Sequence, residues 1–181
     1  ADGSPDMSYG TDGDLLLDSL LFTSSYNRVA ALLPRANGGA ALVLSKPFGN
    51  LNTTVIVWLT ANGQLDLVQM PQGITGPMSI HVGVPTAAVM QTDDKLVIAG
   101  FANLPQGSLN GDGTTADYAQ PRVMRLVPQG GFDIAFGPGQ GFTTLSFGGK
   151  LLSPNHLHLA ADGSIFIAGS TGPAGSTQFA V

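Results

Sequence analysis

The stretch RLVPQGGFDIAFGPGQG, Arg125–Gly141, decides the fold of this 181-residue chain, because its second half returns in weakened form as the opening residues ADGSPDMSYGTDGD. The same element occurs a third time, since VIVWLTANGQLD at 55–66 aligns with RVMRLVPQGGFD at 122–133. Self-similarity at a fixed period is the sequence signature of repeat architectures. The chain is therefore expected to consist of repeated structural units.

A second pattern precedes this element in each copy and consists of two apolar runs joined by a short turn. Asp-Gly between two β-rich runs is a strong hairpin signal, because both residues tolerate positive φ. Each copy therefore predicts a β-hairpin. The three copies are VAALLPRANGGAALVLS (29–45), AAVMQTDDKLVIAG (87–100) and LHLAADGSIFIAG (157–169). Their turn pairs are Gly38-Gly39, Asp93-Asp94 and Asp162-Gly163.

The third unit is interrupted by the chain termini. Phe179–Val181 matches the start of the second element, and Ala1–Asp6 matches its end. We therefore expect a single repeat domain over residues 1–181 whose third blade is split, with the N-terminus supplying its outer strand. Its expected parts are the tail of the split blade and a linker (1–28), two blades (29–86 and 87–150) and the head of the split blade (151–181).

The composition favours an all-β chain. Hydrophobic residues make up 43% and charged residues only 10%, which is the opposite of the balance found in disordered proteins. All 12 acidic residues are Asp, which favours turns and caps, and none is Glu, a good helix former. With 25 Gly and 12 Pro, many tight turns are expected.

The charge pattern excludes two classes of partner. The net charge is −5, and the seven Lys and Arg residues are scattered, so no basic patch can neutralise phosphates. Nucleic acid and anionic membrane surfaces are therefore not expected partners. The apolar run Thr54–Leu59 is far shorter than the roughly 20 residues of a spanning helix, so no membrane span is expected. Without Cys, the chain has no disulfide and no thiol catalysis.

The element RLVPQGGFDIAFG, together with TDDKLVIAG before it, resembles the delta-60 repeat of bacterial proteins. ADGSPDMSYG keeps the Asp-Gly, the Asp and the aromatic-Gly of that repeat, whereas the copy at 55–70 has Trp58 in place of Arg and lacks the aromatic-Gly. The resemblance covers nearly the whole chain. It implies β-propeller blades of about 60 residues and no common activity.

Three blades do not close a propeller, because rings form with about four to eight blades. A three-blade arc is expected to expose two apolar sheet faces. We therefore expect the chain to complete a ring, either with a second copy as a six-bladed homo-oligomer or with additional repeats.

One loop has the composition of a cation site. NGDGTTADY offers Asn110, Asp112, Thr114 and Asp117 at short spacing, and such oxygen ligands can coordinate Ca²⁺. An EF-hand loop needs a bidentate Glu, which the chain lacks, so a solvated turn is the favoured interpretation and Ca²⁺ the alternative. Asp12–Asp18 is a weaker candidate of the same kind. No other cofactor is expected.

The remaining candidates have structural interpretations. His156 and His158 alternate and should share one strand face, where two ligands need a third to hold a transition metal, so a packed or capping role is favoured. Trp58 is expected to pack between blades. Asp6, Asp66 and Asp133 recur at matching places, which indicates that their carboxylates accept backbone N–H groups in turns.

No Gly-x-Ser-x-Gly elbow, phosphate loop or dinucleotide fingerprint occurs, so no catalytic residue is assigned. The sequence favours a non-enzymatic binding or assembly module of the bacterial envelope or extracellular space, displaying the loop Phe101–Pro121 to a glycan or protein. The alternatives are a lectin-like propeller, and a carbohydrate-active or metal-dependent enzyme with its site in a central channel.

Overall fold

The computed structural model describes residues 4–15, 28–48, 51–66, 78–80, 83–103, 119–128, 130–147, 150–171 and 178–180. These residues form an all-β protein of three four-stranded antiparallel sheets. The fold class predicted from Asp, Gly and Pro usage is thereby confirmed as all-β.

The sheets follow one another along the chain. The first sheet has the order β1 (Arg28–Pro34), β2 (Ala40–Phe48), β3 (Leu51–Leu59), β4 (Met78–Ile80). The second has the order β5 (Val84–Met90), β6 (Leu96–Asn103), β7 (Ala119–Leu126), β8 (Phe142–Thr144). The third has the order β12 (Gln178–Ala180), β11 (Ile165–Thr171), β10 (Lys150–Leu159), β9 (Ser146–Phe147).

The first strand of each predicted hairpin carries a register shift at the same place. The shift falls between Val29 and Ala31 in β1, between Pro85 and Ala87 in β5, and between Pro154 and His156 in β10. A β-bulge of this kind bends its strand and increases the local twist. Because the bulge recurs at equivalent positions, the three hairpins are structural copies, as the sequence pattern predicted.

The hairpin turns also share one geometry. In each turn the N–H of the first residue donates to the carbonyl of the fifth, and the carbonyl of the first accepts the N–H of the fourth, whose φ is positive. The three residues between the first and the fifth form the loop. The positive-φ residues are Gly38 (81°), Asp94 (58°) and Gly163 (86°). The three predicted hairpins are therefore confirmed, with one positive-φ residue in each turn. In the first copy the pair is Asn37-Gly38, one residue earlier than predicted.

The residue before each positive-φ position closes the turn with its side chain. Asn37 Oδ1 accepts the N–H of Gly39 at 2.9 Å, and Asp162 Oδ1 accepts that of Ser164 at 2.9 Å. Asp93 Oδ1 does the same for Lys95 at 3.3 Å. Asn and Asp are thus interchangeable here, because only a short side chain with an acceptor oxygen is needed.

The sheets stack face to face, and the second lies between the other two. Successive side chains of β6 point to opposite faces, as in any strand. Leu96 and Ile98 pack on Ala41 and Val43 of the first sheet. Val97 and Ala99 pack with Leu157 of the third sheet. Trp58 belongs to the first of these cores and is fully buried, so its expected packing between sheets is confirmed.

The two outer faces of the stack differ from what the sequence predicted. On the first sheet the outer face is apolar but buried, and Leu15 packs against it. On the third sheet the outer face is exposed and presents His156, His158 and Phe166. The expectation of two exposed apolar faces is therefore wrong, because the chain covers one face and places two imidazoles on the other. The buried residues of the first face are Leu42, Leu44, Val55, Val57 and Leu59.

The N-terminal segment has the turn structure of the sequence it resembles. Asp6 Oδ1 accepts the N–H of Ser8 at 2.9 Å, and its carbonyl accepts that of Tyr9 at 2.9 Å. Asp133 makes the same two bonds to Ala135 at 3.1 Å and to Phe136 at 2.9 Å. The structural role expected for these two aspartates is confirmed.

This segment does not lie where the sequence placed it. The N–H of Gly10 donates to the carbonyl of Asn62 at 2.9 Å, so residues 4–15 contact a turn of the first sheet. All described strands of the third sheet come from residues 146–180. The prediction that residues 4–10 form an outer strand of the third sheet is wrong, because this stretch closes on itself in a turn.

Candidate functional site

Charged side chains gather at the end of the sheets that carries the hairpin turns 35–39, 91–95 and 160–164, which we call the turn face. Strands β3 and β7 end at this face too, because they run parallel to the first strand of their own sheet. Asp66 and Asp133 follow those strands, and their backbone N–H groups donate to the carbonyls of Trp58 (2.8 Å) and Arg125 (2.9 Å). Each sheet thus contributes a hairpin turn, and each of the first two also contributes the aspartate that follows its third strand.

Arg35 links the first two sheets at this face. Its Nη1 donates to Asp66 Oδ2 at 2.8 Å, and its Nη2 lies 3.5 Å from Asp94 Oδ2 in the turn of the second sheet. The guanidinium also lies over the ring of Trp58, with Cζ 5.0 Å from the centroid. The Arg35 side chain is only 1% exposed. A buried cation of this kind needs partners, and two carboxylates and an aromatic face supply them.

The second sheet also brings a cation, a carboxylate and an aromatic ring together at this face, but its cation lies on the third strand and its ring on the segment that follows. Arg125 stands on β7 at the position of Trp58, and its Nε donates to Asp133 Oδ2 at 2.9 Å. Its Cζ lies 4.8 Å from the ring centroid of Phe136, which comes from the segment after Asp133. Trp58 stands where the repeat pattern has an arginine, and Arg35 supplies the cation for Asp66 from the hairpin turn instead.

Lys95 extends the second cluster. Its Nζ lies 3.1 Å from Asp93 Oδ2 and 3.5 Å from Asp133 Oδ2. The hydrogen bond and charge of Asp93 raise the pKa of Lys95. Burial raises the pKa of Asp133, but the N–H of Ala135 and the charges of Arg125 and Lys95 outweigh it, so the net pKa lies below the ordinary value. The cluster is therefore held together by charge at neutral pH.

A cleft of about 630 Å³ opens between the turns of the second and third sheets, lined by residues 91–93 and 159–163. Gln91 holds the turn position that Arg35 holds in the first sheet, and Ala160 holds it in the third. Within the described residues, the Oε1 atom of Gln91 is buried and has no hydrogen-bond partner. Small and apolar residues line part of the side that the third sheet provides, namely Leu159, Ala160 and Ala161.

Two carboxylates line this cleft. The backbone and side-chain hydrogen bonds from Ser164 lower the pKa of Asp162. Burial raises the pKa of Asp93, but the hydrogen bonds and charge of Lys95 outweigh it and the net pKa is lowered. Both groups are therefore anionic at neutral pH. The cleft therefore carries negative charge.

The calcium candidates Asn110, Asp112 and Asp117 lie outside the described residues, as does Thr114. Among the residues that the structure does describe, no group of three or more His, Asp, Cys or Glu side chains could hold a metal ion. In the weaker candidate Asp12 and Asp14 are exposed, and residues 16–18 fall outside the described ranges.

His156 and His158 share a strand face, as predicted, but neither is packed. Both are exposed beside Phe166, which is 51% exposed and is the register partner of His158. The favoured packed or capping role is therefore wrong, because no further described sheet of this chain lies against that face. His81 falls outside the described residues.

The sequence interpretation missed both Arg35 and the cleft. The signal was available in the turn alignment. Placing Asn37-Gly38, in place of Gly38-Gly39, against Asp93-Asp94 brings Arg35 opposite Gln91 and Ala160. This repeat position carries a long cationic side chain in the first turn, an amide in the second and a methyl group in the third. The difference in size predicts that the spaces between neighbouring turns are filled to different extents.

Over the described ranges, no helix has the length and apolarity needed to cross a membrane. Comparison with family models, with curated proteins and with solved structures gives no match for this chain.

Proposed function

We propose that this chain is a non-enzymatic β-propeller-type binding and assembly module of the bacterial envelope or extracellular space. The observation that supports the proposal best is the directional stacking of its sheets. Ala41 and Val97 hold equivalent positions after their hairpin turns, and each faces the sheet that follows its own. Phe166 holds that position in the third sheet and is exposed. A stack that repeats one interface can be extended without a new kind of contact.

The arrangement of the inner strands supports a propeller rather than a flat sandwich. β5 contacts both β1 and β10, which are the first strands of the neighbouring hairpins. In a propeller the first strands of successive blades lie side by side around the axis. The resemblance to delta-60 repeats agrees with this proposal and supplies its bacterial context.

Ring completion would use the outer face of the third sheet. His156 and His158 hold the positions at which Ala31 and Leu33 pack on the second sheet. A further sheet, from a second copy or from additional repeats, would therefore dock on the face that carries Phe166. Closing the ring, with a second copy or with additional repeats, would also require Leu15 to be displaced from the outer face of the first sheet or to become part of the new interface.

The absolute mass in solution tests the ring. Light scattering that gives twice the 18.5 kDa chain mass supports the six-bladed pair. A monomeric mass excludes that pair and leaves ring completion by additional repeats. In a chain that carries such repeats, Phe166 is expected to be buried.

The binding role is tested separately with a glycan array, a peptide panel and metal analysis. Saturable binding without turnover is the expected result. A stoichiometric metal accompanied by turnover of a bound glycan would overturn the non-enzymatic assignment in favour of a carbohydrate-active enzyme.

A further inference from the structure

We propose that a second copy of this chain docks on it head to tail, with Phe166 of one copy packing on Leu32 of the other. This inference rests on the proposed assembly function, for which it names the partner and the register. Two such contacts would close a ring of two copies, because each copy carries one face of each kind. The interface between the second and third sheets of the chain is the template.

Each end of the stack leaves a large apolar side chain exposed. Leu32 of β1 is 64% exposed, whereas Ala31 before it packs towards the second sheet. Phe166 of β11 is 51% exposed, whereas Ile165 before it packs towards the second sheet. Because side chains alternate along a strand, Leu32 points away from the stack at one end and Phe166 at the other.

The interface inside the chain shows what these two positions do when they are covered. Leu32 is the counterpart of Leu157, since each stands two residues before the end of the first strand of its hairpin. Phe166 is the counterpart of Val97, since each is the second residue of the next strand. Leu157 is only 4% exposed and shares a core with Val97. Phe166 on Leu32 would therefore repeat between chains the packing that buries Leu157 within one.

The side chains of the two free faces differ in size from those of the internal interface, in compensating directions. On the face that would receive the second copy, Ala40 holds the place that the larger Ile165 holds on the third sheet. On the face that would dock, Phe166 replaces the smaller Val97. Cores tolerate such exchanges when the total volume is kept. The two faces are therefore matched to each other better than either is to its internal counterpart.

Residues 6–15 already pack on the first sheet as part of such an interface. Tyr9 is the counterpart of Phe136, since the backbone N–H of each donates to the aspartate that starts an equivalent turn. Phe136 packs against the core that the second sheet shares with the third. The ring of Tyr9 lies against Gly63 after β3, where an added Cβ would meet it at 3.1 Å. Each segment thus packs on the sheet that comes next along the chain.

Leu15 therefore keeps its place when the second copy docks. It follows the residue whose backbone carbonyl stands against Gly10. Thr143 of β8 follows the residue whose carbonyl stands against Gly137 in the same way. Leu15 is thus the counterpart of Thr143, and β8 belongs to the sheet that packs on the third one. In the docked pair, residues 6–15 would lie beside the third sheet of the second copy as β8 lies beside its own sheet.

The polarity of the docking face favours a separate chain as the partner. His156 and His158 stand where Ala87 and Val89 face the third sheet at the internal interface. Interfaces between separate chains are more polar than protein cores. Both faces also occur on one chain, so a second copy supplies them without a further component.

Cross-linking between single-cysteine variants tests the register, and the lack of native Cys makes it specific. Leu32→Cys and Phe166→Cys are unfolded together in urea, refolded, and treated with bis-maleimidoethane. The mixture should give a covalent dimer of twice 18.5 kDa, whereas either variant alone should stay monomeric on a denaturing gel. Ile134→Cys mixed with Leu32→Cys is the control and should not cross-link, because Ile134 is 72% exposed in the turn after β7.

Two results of this experiment overturn the proposal. A covalent dimer of Phe166→Cys alone would show that two third sheets face each other. A mixture that cross-links no better than the Ile134→Cys control would show that the two faces do not meet.

Charged substitutions test the same contact without a cross-linker. In sedimentation equilibrium the parent should be a dimer, and Phe166→Asp or Leu32→Asp should raise its Kd at least about thirtyfold, because a carboxylate replaces an apolar contact. Ile134→Asp should leave the Kd unchanged. Since all three side chains are exposed in the single chain, the thermal midpoint of the monomer should shift by no more than a few degrees. Equal Kd values for Phe166→Asp and Ile134→Asp would reject the contact.

Failure of this inference is distinct from failure of the proposed function. A parent that stays monomeric at every concentration rejects the second copy, whereas ring completion by additional repeats and binding of a glycan or peptide would still stand. Conversely, a cross-linked dimer that binds no glycan, peptide or protein retains the inference and removes the binding role.

Discussion

Nη2 of Arg35 lies 3.5 Å from Oδ2 of Asp94, and this ion pair joins the hairpin turn of the first sheet to that of the second. The same guanidinium bonds to Asp66, so one side chain connects both turns to the strand end below them. The repeat interface is therefore fixed by polar contacts at the turn face as well as by the apolar core between the sheets.

Replacing Arg35 by alanine should destabilise the fold strongly. Removing one partner of a buried ion pair costs about 3–5 kcal/mol, because the remaining carboxylate, here the 9%-exposed Asp66, is left without its cation. Urea unfolding followed by fluorescence measures the loss. Arg28→Ala on β1 is the matched control and should change stability by no more than about 0.5 kcal/mol, because Arg28 is exposed. Equal effects of the two substitutions would show that Arg35 does not hold the interface.

Much of this fold could be predicted from the sequence, for physical reasons that are local. The Asp6 and Asp133 turns are set by a carboxylate bonding two residues ahead, so a resemblance between ADGSPDMSYG and FDIAFG is sufficient to predict the shared geometry. The hairpins are similarly encoded by alternating apolar residues around a turn residue that tolerates positive φ.

The site was less predictable because its parts come from different repeats. Arg35 contacts Asp94 only when two sheets have stacked. In addition, aligning Gly38-Gly39 with Asp93-Asp94 shifted the first turn by one residue, so the equivalence of Arg35 and Gln91 was not visible. The location of residues 4–15 was missed for a related reason. A turn sequence specifies its own hydrogen bonds but not which sheet it packs against.

The backbone of Asp94 predicts an unusual order of substitutions. Its φ of 58° lies in the left-handed region, which costs a residue with a Cβ about 1–2 kcal/mol. Both Asp94→Ala and Asp94→Gly lose the contact with Arg35, but the glycine variant escapes the backbone cost. We therefore expect Asp94→Gly to be more stable than Asp94→Ala by about 1 kcal/mol in urea unfolding.

Asp93 provides the control for that comparison, since it occupies the preceding turn position and has no positive φ. There alanine should be the better substitute, by about 0.5 kcal/mol, because glycine loses more chain entropy on folding. The same order at both positions would contradict the left-handed assignment at Asp94.

Gly100 should tolerate no side chain, for steric rather than conformational reasons. A Cβ at this position would meet the backbone carbonyl of Val84, next to the bulge in β5. Backbone atoms cannot yield as a side chain does, so Gly100→Ala should cost about 3 kcal/mol. Gly139→Ala is the control, because a Cβ there meets open space and only its φ of 88° opposes alanine, at about 1–2 kcal/mol. Thermal unfolding that ranks Gly139→Ala below Gly100→Ala would contradict this account of β5 and β6.

The lowered pKa values of Asp133 and Asp162 predict the response to acid. A carboxyl group whose folded pKa lies below its unfolded value, near 3.8, adds stability above that value and loses it as the pH falls through the folded pKa. Stability should thus be flat from pH 7 to about 5 and decline below about pH 4. The raised pKa of Lys95 works in the opposite direction and matters only in strong alkali, above its ordinary 10.5.

Asp133→Asn isolates the contribution of one carboxylate to this acid response. The variant should be less stable than the parent at pH 7, because the charges of Arg125 and Lys95 lose their common partner. The difference in stability between the two proteins should shrink as the pH falls below about 4, because the Asp133 carboxyl group of the parent is then protonated and, like asparagine, uncharged. Urea unfolding at pH 7, 5, 4 and 3 measures the difference directly. A gap that stays constant down to pH 3 would show that the Asp133 carboxylate contributes by packing rather than by charge.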